Sequence, residues 1–387
     1  MARTDHPFIS FLYSPESLSK STWFILGEGK SKCQHLAGVP LKPGAAEDMS
    51  RIVLAKGVAA TTAIEGNTLS VDEVREIVDR GTADVSESRE YLQREVQNIL
   101  GAIHEIDTAL QNGVRLPITV ERLCSLNEQI LDGIPDKPEV IPGKLRRHDV
   151  SVGSYFPPHY ADVPELLERF VQWLNELRAA VTAESSATER YVNAVLAAIL
   201  AHLYIAWIHP FGNGNGRLAR LIEVQILSES GVVPLVATNI LSNHYNKTRN
   251  AYYLALDAAQ QDVNEFASYA IRGFVDELRD EIETVKHENL LIHWESYVHE
   301  RFKGATSLAK SRQRAVALAL EEGQSVTPEE LTLLTPPLAR LYATAGERMP
   351  ARDLNALAKL GLMEKVGSRR YRVRREIVEA FIPPTFE

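Results

Sequence analysis

Cysteine is nearly missing from this chain of 387 residues. Cys33 and Cys124 stand far apart without a Cys-x-x-Cys pair, which excludes a disulfide framework and a thiolate zinc site. No internal repeat and no low-complexity tract is present, so a solenoid or an array is excluded as well. The start, Met1-Ala2-Arg3-Thr4-Asp5-His6, lacks the apolar core of a secretion signal. A single run, Tyr191 to Ile208, has about the length needed to span a bilayer. It contains Asn193 and His202 and leads straight into a glycine-rich loop, so it reads as a buried central helix. The expectation is a cytoplasmic protein with no membrane partner. An apolar content of 45% is ordinary for a globular chain, and the length suggests two or three units.

What the chain does have is concentrated in His209-Pro210-Phe211-Gly212-Asn213-Gly214-Asn215-Gly216-Arg217-Leu218-Ala219-Arg220. This stretch follows the apolar run from Val195 to Ile208 and precedes an amphipathic run, Leu221 to Leu227. Gly-Asn-Gly-Asn-Gly suits a tight turn whose successive backbone N–H groups point into one concavity, with a helix starting behind it. Such a nest at a helix N-terminus binds anions. Arg217 and Arg220 lie three apart and emerge on neighbouring parts of that helix. The expected geometry is a phosphate cradle with a histidine at its lip. His209 precedes a proline, which pushes its backbone out of the helix. A neutral imidazole there can take a proton from a hydroxyl, since its unperturbed pKa lies near working pH.

Around the loop the pattern is mostly helical. Residues 1–45, punctuated by Ser14-Pro15, Gly27-Glu28-Gly29, Pro40 and Pro43-Gly44, read as irregular, with short helices or strands. From Ala46 a helical period runs through Met49, Ile52, Val53, Ala60 and Ile64, and ends at Gly66-Asn67. Ser70-Val71-Asp72-Glu73 is a capping box that opens the next helix. Further helices are expected over 88–112, 118–132, 161–181, 187–208, 217–230, 243–260 and 263–295. Val150-Ser151-Val152-Gly153-Ser154-Tyr155 reads as an extended strand or hairpin. The fold class is therefore all-α with one hairpin.

A boundary is expected near 297–308. Beyond it three helices precede a β-hairpin (Leu362 to Val366, Tyr371 to Arg374), the order of a winged helix-turn-helix. Residues 301–387 carry fifteen Lys/Arg against ten Asp/Glu, a net of +5 on a chain of −9. Arg369, Arg370, Arg372, Arg374 and Arg375 cluster on the expected wing, and a helix at 350–360 would show Arg352, Asn355 and Lys359. Arg and Asn read base edges and wing arginines suit phosphates, so DNA contact is one expectation. Such modules also pair copies of a chain, so a homodimer is another. The acidic remainder opposes strong non-specific binding to nucleic acid.

The loop resembles the signature of the Fic (Fic/Doc) family, His-Pro-Phe-x-Asp/Glu-Gly-Asn-Gly-Arg-x-x-Arg. Eleven of its twelve positions fit, without a gap, and Asn213 is the departure. The resemblance covers roughly residues 46–290. It implies a Fic-type helical bundle with a β-hairpin flap: an N-terminal part (1–110) with an inhibitory helix (46–66), a catalytic core (111–296) and, separately, the tail module (302–387). The implied activity is a protein adenylyltransferase, in which a Ser, Thr or Tyr hydroxyl of a target protein attacks the α-phosphate of ATP.

On this resemblance His209 is the general base. Backbone N–H groups around Gly214 to Gly216 and the Asn215 side chain stabilise phosphate oxygens, and Arg217 and Arg220 hold the β and γ phosphates. The family's carboxylate at position 213 coordinates Mg²⁺. Asn213 offers a hard but uncharged oxygen there, so weak metal affinity and slow transfer are expected. Thr61-Thr62-Ala63-Ile64-Glu65-Gly66-Asn67 matches the family's inhibitory motif, Ser/Thr-x-x-x-Glu-Gly/Asn. Apart from any family, a carboxylate in the last turn of a helix opposes the macrodipole by about 0.3–1 kcal/mol. A cation should compensate Glu65, and the resemblance names Arg220. The hairpin with Val150 and Val152 corresponds to the flap, whose edge can pair with a target segment. Tyr252, Tyr253 and Gln260 fall where relatives line the adenine pocket, Gln260 replacing a common Asn. Two alternatives keep part of this picture. One is deAMPylation or another nucleotidyl or phosphoryl transfer; the other is a DNA-binding regulator that senses a nucleotide.

Overall fold

The computed structural model describes residues 6–39, 43–183 and 186–378. Met1 to Asp5 (on which the targeting expectation rests), Pro40 and residues 379–387 of the tail lie outside the described residues. The chain divides into two compact units, Met1–Ile282 and Glu283–Glu387. Helices of the first unit are α1 (Lys20–Gly38), α2 (Pro43–Ile64), α3 (Val71–Arg80), α4 (Glu90–Gln111), α5 (Val120–Leu131), α6 (Val163–Ala183), α7 (Ala187–Ile208), α8 (Asn215–Glu229), α9 (Leu241–Lys247) and α10 (Arg249–Ala258). The unit boundary falls inside α11 (Val263–Arg301).

The centre of the first unit is α7. Every residue from Ala194 to Ile205 is buried, as its apolar composition requires. It is long and apolar enough to cross a bilayer, yet it forms the core of this unit. Helices α6 and α8 cover it, and α4 and α5 pack on α8. Each fully buried Leu, Ile or Phe contributes about 1.5–3 kcal/mol, so the α7–α8 pair is a rigid base for the loop between them.

Three expectations are corrected. Residues 20–38 form a 19-residue helix instead of irregular chain, opened by Ser19, whose hydroxyl accepts from the Thr22 N–H. Of its glycines, Gly29 is there for a packing reason: a Cβ on it would collide with the Tyr191 hydroxyl and the Val275 side chain. The helix expected over 243–260 breaks at Thr248 (φ −121°, ψ 38°). There the Thr248 hydroxyl donates to the His244 carbonyl at 2.7 Å and meets the Tyr269 hydroxyl at 2.6 Å, offering the backbone a non-helical alternative. The strand expected at 150–155 shrinks to one bridge, Val152 with Tyr155, closed by two N–H···O bonds of 2.9 and 3.0 Å around Gly153-Ser154. Val150 takes no part in it.

The second unit holds α12 (Leu308–Ala319), β1 (Ser325–Val326), α13 (Pro328–Leu331), α14 (Pro336–Tyr342), α15 (Met349–Lys359), β2 (Met363–Val366) and β3 (Arg370–Val373). The strands form an antiparallel sheet in the order β1-β3-β2. Its core joins Leu354 and Leu357 to Leu320, Leu338 and Val373, and also includes Trp294, Val298 and Phe302 of the last part of α11 and beyond. That apolar stretch explains why the division lies earlier than the composition change near 297–308. Buried Asp353 ties three elements, accepting from Arg312, Gln313 and Tyr342 at 2.9–3.0 Å.

Candidate active site

The loop between α7 and α8 is shaped by its own residues and two buried anchors. His209 caps α7 in the left-handed region (φ 48°, ψ 60°), its N–H donating to the Ile205 carbonyl at 2.9 Å. A non-glycine residue there is uncommon, and the following proline forbids continuing the helix. Arg146, whose side chain is fully buried, donates through Nε to the His209 carbonyl at 2.8 Å and bonds the carbonyls of His148 and Pro158. Asn127 donates to the Asn213 carbonyl at 2.9 Å and accepts from the Gly143 N–H at 3.1 Å. Gly214 (φ 80°) caps the start of α8, and a Cβ on it would lie 2.8 Å from the Asn127 amide. This is one position where only glycine fits.

Two loop residues differ from their expected roles. The Asn215 side chain is 2% exposed and spent on Phe211, accepting from its N–H at 3.0 Å and donating to its carbonyl at 2.9 Å. It staples the turn and does not reach toward a phosphate. Arg217 does not face the cavity either. It is 3% exposed and pairs with Glu95 of α4 at 2.5 Å. Asn67 in turn fixes Glu95, donating to Oε2 at 2.8 Å. A carboxylate this deeply buried needs a cation, and that demand turns Arg217 away from its neighbour.

Arg220 and Glu65 form the centre of the site. Arg220 is buried and donates from Nε to the Thr61 hydroxyl at 2.6 Å, and from Nη2 to the Thr61 carbonyl at 3.0 Å and Glu65 Oε1 at 2.6 Å. Glu65 follows the last residue of α2 and lies on the first turn of α8: a Cβ added to Gly216 would stand 2.6 Å from its Oε1. The carboxylate thus sits where the free N–H groups and dipole of α8 favour an anion. Burial alone would raise its pKa, but Arg220 and then Arg217 outweigh that and hold it below the usual range. Arg249 donates to the Ala63 carbonyl at 2.6 Å and so closes the end of α2.

A cavity of about 400 Å³ opens beside this pair. Glu65, His209, Gly216 and Arg220 line one side, with Tyr252, Tyr253 and Gln260 on another and Val152 and Tyr155 at the flap. Gly214, Asn215, Arg217, Asn213 and Val150 do not line it. The Tyr155 hydroxyl donates to the Trp207 carbonyl at 2.8 Å and pins the flap to the end of α7. Asp257, which no motif signals, joins the lining, and Gln260 donates to it at 3.3 Å. Burial pushes the His209 pKa down to about 4, with the Arg146 cation adding to the shift. Its Nδ1 stands 3.4 Å from the Ala206 carbonyl, so Nδ1 carries the proton and Nε2 has a free lone pair.

A magnesium ion at Asn213 does not fit these residues. Its Oδ1 accepts from the Gly214 N–H at 2.6 Å and from the Arg217 guanidinium at 3.2 Å, while its Nδ2 donates to Asp136 at 2.5 Å. An oxygen already taken by two donors, one of them cationic, is no ligand for a hard cation. Asn213→Asp should place two carboxylates against each other and create a cation site. Calorimetric titration should then show Mg²⁺ binding at least about tenfold tighter than in the parent chain; equal affinity would show that the two carboxylates do not form a cation site.

The arrangement joins a helix-terminus anion site to a neutral base and an aromatic-walled cavity. Residues 117–227 match the family model described as Fic/DOC family. It is 29% identical over 243 residues to protein adenylyltransferase Fic of Drosophila yakuba, covering 62% of this chain and 44% of that protein. To protein adenylyltransferase fic-1 of Caenorhabditis elegans it is 31% identical over 214 residues, covering 55% and 38%. The chain thus spans less than half the length of these relatives. Its fold is similar to the crystal structure of a Fic family protein from Desulfovibrio desulfuricans G20, with a TM-score of 0.56 at 19% identity, covering 94% and 98% of the two chains.

Proposed function

We propose that the chain transfers AMP from ATP to a hydroxyl of a target protein and that Glu65 holds this activity back. The observation that carries the reading is the Glu65–Arg220 pair, 2.6 Å long, lying across the first turn of α8 inside the cavity lined by His209. A Ser, Thr or Tyr oxygen attacks the α-phosphorus, the new O–P bond forms, and the bond to pyrophosphate breaks with its electrons leaving on that group. His209 Nε2 takes the hydroxyl proton. Backbone N–H groups at Gly216 and the Arg220 guanidinium meet the charge on the phosphate chain, so catalysis is mainly positioning and electrostatics. Mass spectrometry of proteins mixed with the chain and ATP should find AMP on hydroxyl side chains. An AMP-free protein set, with ATP bound, would point to a sensor without turnover.

The base works when neutral, and with its pKa held near 4 it is neutral throughout the physiological range. The acid limb of kcat/KM should therefore fall near pH 4, with activity retained down to about pH 5. A limb near 6.5 would mean a hydrated ring.

A second reading concerns the second unit, read as a winged helix that touches DNA. Its expected wing is already neutralised: Arg369 pairs with Glu329, Arg370 with Glu330, Arg372 with Glu364 and Arg374 with Glu376, at 2.5–3.3 Å. Arg375 is buried against the Leu320 carbonyl. Asn355 is also spent, accepting from the Tyr371 hydroxyl at 2.9 Å and donating to the Ala351 carbonyl at 2.8 Å. What favours DNA is α15 itself. Arg348, Arg352 and Lys359 are exposed, recur at helical spacing on one face, and carry no ion pair among the described residues. Fluorescence anisotropy with duplex DNA should show salt-dependent binding, and replacing Arg352 and Lys359 by alanine should reduce the log–log salt slope by about 2. An unchanged slope would remove α15 from the interface.

A further inference from the structure

Behind the Tyr252 wall lie two ionisable groups that the transfer step does not use. His202 of α7 is fully buried and Glu223 of α8 is 2% exposed. Tyr245 of α9 donates its hydroxyl to Glu223 Oε1 at 2.8 Å. His202 Nδ1 stands 3.1 Å from Glu223 Oε2. On the other side of the ring, His202 Nε2 lies 2.8 Å from the hydroxyl of Tyr252. Tyr252, on α10, is 3% exposed and lines the cavity with Arg220 and Glu65. Four helices thus contribute one residue each to a single polar chain that ends at the cavity wall.

The protons in this chain follow from pairing rules. A carboxylate out of water needs donors. His202 Nδ1 makes no well-aligned hydrogen bond, but it is 3.1 Å from Glu223 Oε2, and a proton on that nitrogen avoids two lone pairs confronting each other at that distance. The Tyr252 hydroxyl is itself buried and must also donate, and His202 Nε2 is its partner. Nε2 is therefore the bare acceptor of a neutral ring.

We propose that Glu223 and His202 are positioning residues for the nucleotide cavity. Glu223 sets the tautomer of His202, and His202 anchors the phenol of Tyr252 so that its ring forms a fixed wall. The positioning role rests on the nucleotide reading above, whereas the tautomer is a property of the chain by itself.

The test is ¹⁵N NMR of the histidine-labelled full chain, paired with calorimetric titration of ATP. The parent chain should show His202 protonated on Nδ1 and bare on Nε2. In Glu223→Gln the amide oxygen can still accept from Tyr245, which leaves its NH₂ to face Nδ1. The ring proton then moves to Nε2, the hydrogen bond to Tyr252 reverses, and the ATP dissociation constant should rise about tenfold. Tyr252→Phe keeps the ring but loses the anchor. It should weaken ATP binding several-fold with the Nδ1 proton unmoved, and it carries the test should Glu223→Gln fail to fold. A parent protonated on Nε2, or a folded Glu223→Gln with unchanged tautomer and unchanged ATP affinity, overturns the proposal. No ATP binding in the parent or in Glu65→Gly would overturn the nucleotide reading and the positioning role with it, while leaving the proton order at Glu223 and His202 intact.

Discussion

Glu65→Gly should raise self-modification by labelled ATP at least about tenfold over the parent chain. In the parent, the Glu65 carboxylate occupies the first turn of α8 and shares Arg220 with Thr61. A triphosphate needs the same guanidinium and the same N–H groups, so carboxylate and phosphate compete for one site. Arg220 is 2% exposed and Glu65 27%, so water screens the pair little and the competition is strong. Removing the carboxylate leaves a buried cation hydrogen-bonded, among the described residues, to Thr61 alone. That is unfavourable by up to about 3–5 kcal/mol in a fully buried pair, and an incoming anion relieves it. Glycine is tolerated at 65 because α2 ends at Ile64. The initial rate of label incorporation, with folding checked by circular dichroism, decides the matter. An unchanged rate in a folded variant would show that Glu65 does not restrain the site.

His209→Ala, placed in the Glu65→Gly chain, should lower that rate by about 10²–10⁴. The loop should survive, since its geometry is held by Arg146, Asn127 and Asn215 through backbone groups. Among the described residues the imidazole's one hydrogen-bond contact is a 3.4 Å approach to the Ala206 carbonyl of α7. Loss of rate with ATP affinity kept would therefore report lost proton transfer. A variant that modifies itself as fast as its parent would mean that another group, or water, takes the hydroxyl proton.

How far these features could be read from residue order depends on the range of the interaction. The apolar run of α7, the glycine turn and the α8 start are local, and each follows from periodicity and turn chemistry. The capping box at Ser70 is equally local, and both of its bonds are present. Glu65 was legible because a carboxylate at a helix end is anomalous by itself. Arg217 was misplaced because its orientation is decided by Glu95, over a hundred positions earlier in the chain, which no spacing rule connects to it. Arg146 and Asn127 gave no signal for the same reason: they act on backbone groups of a distant loop. The basic wing looked open because the acidic partners of Arg369 and Arg370 lie on α13, about forty residues away.

The measurement that bears most directly on the central claim is intact-mass spectrometry of the Glu65→Gly chain after incubation with each nucleoside triphosphate in turn. An AMP adduct formed from ATP, lost again on adding His209→Ala, is the predicted result. A folded Glu65→Gly chain whose mass is unchanged by every triphosphate would contradict it.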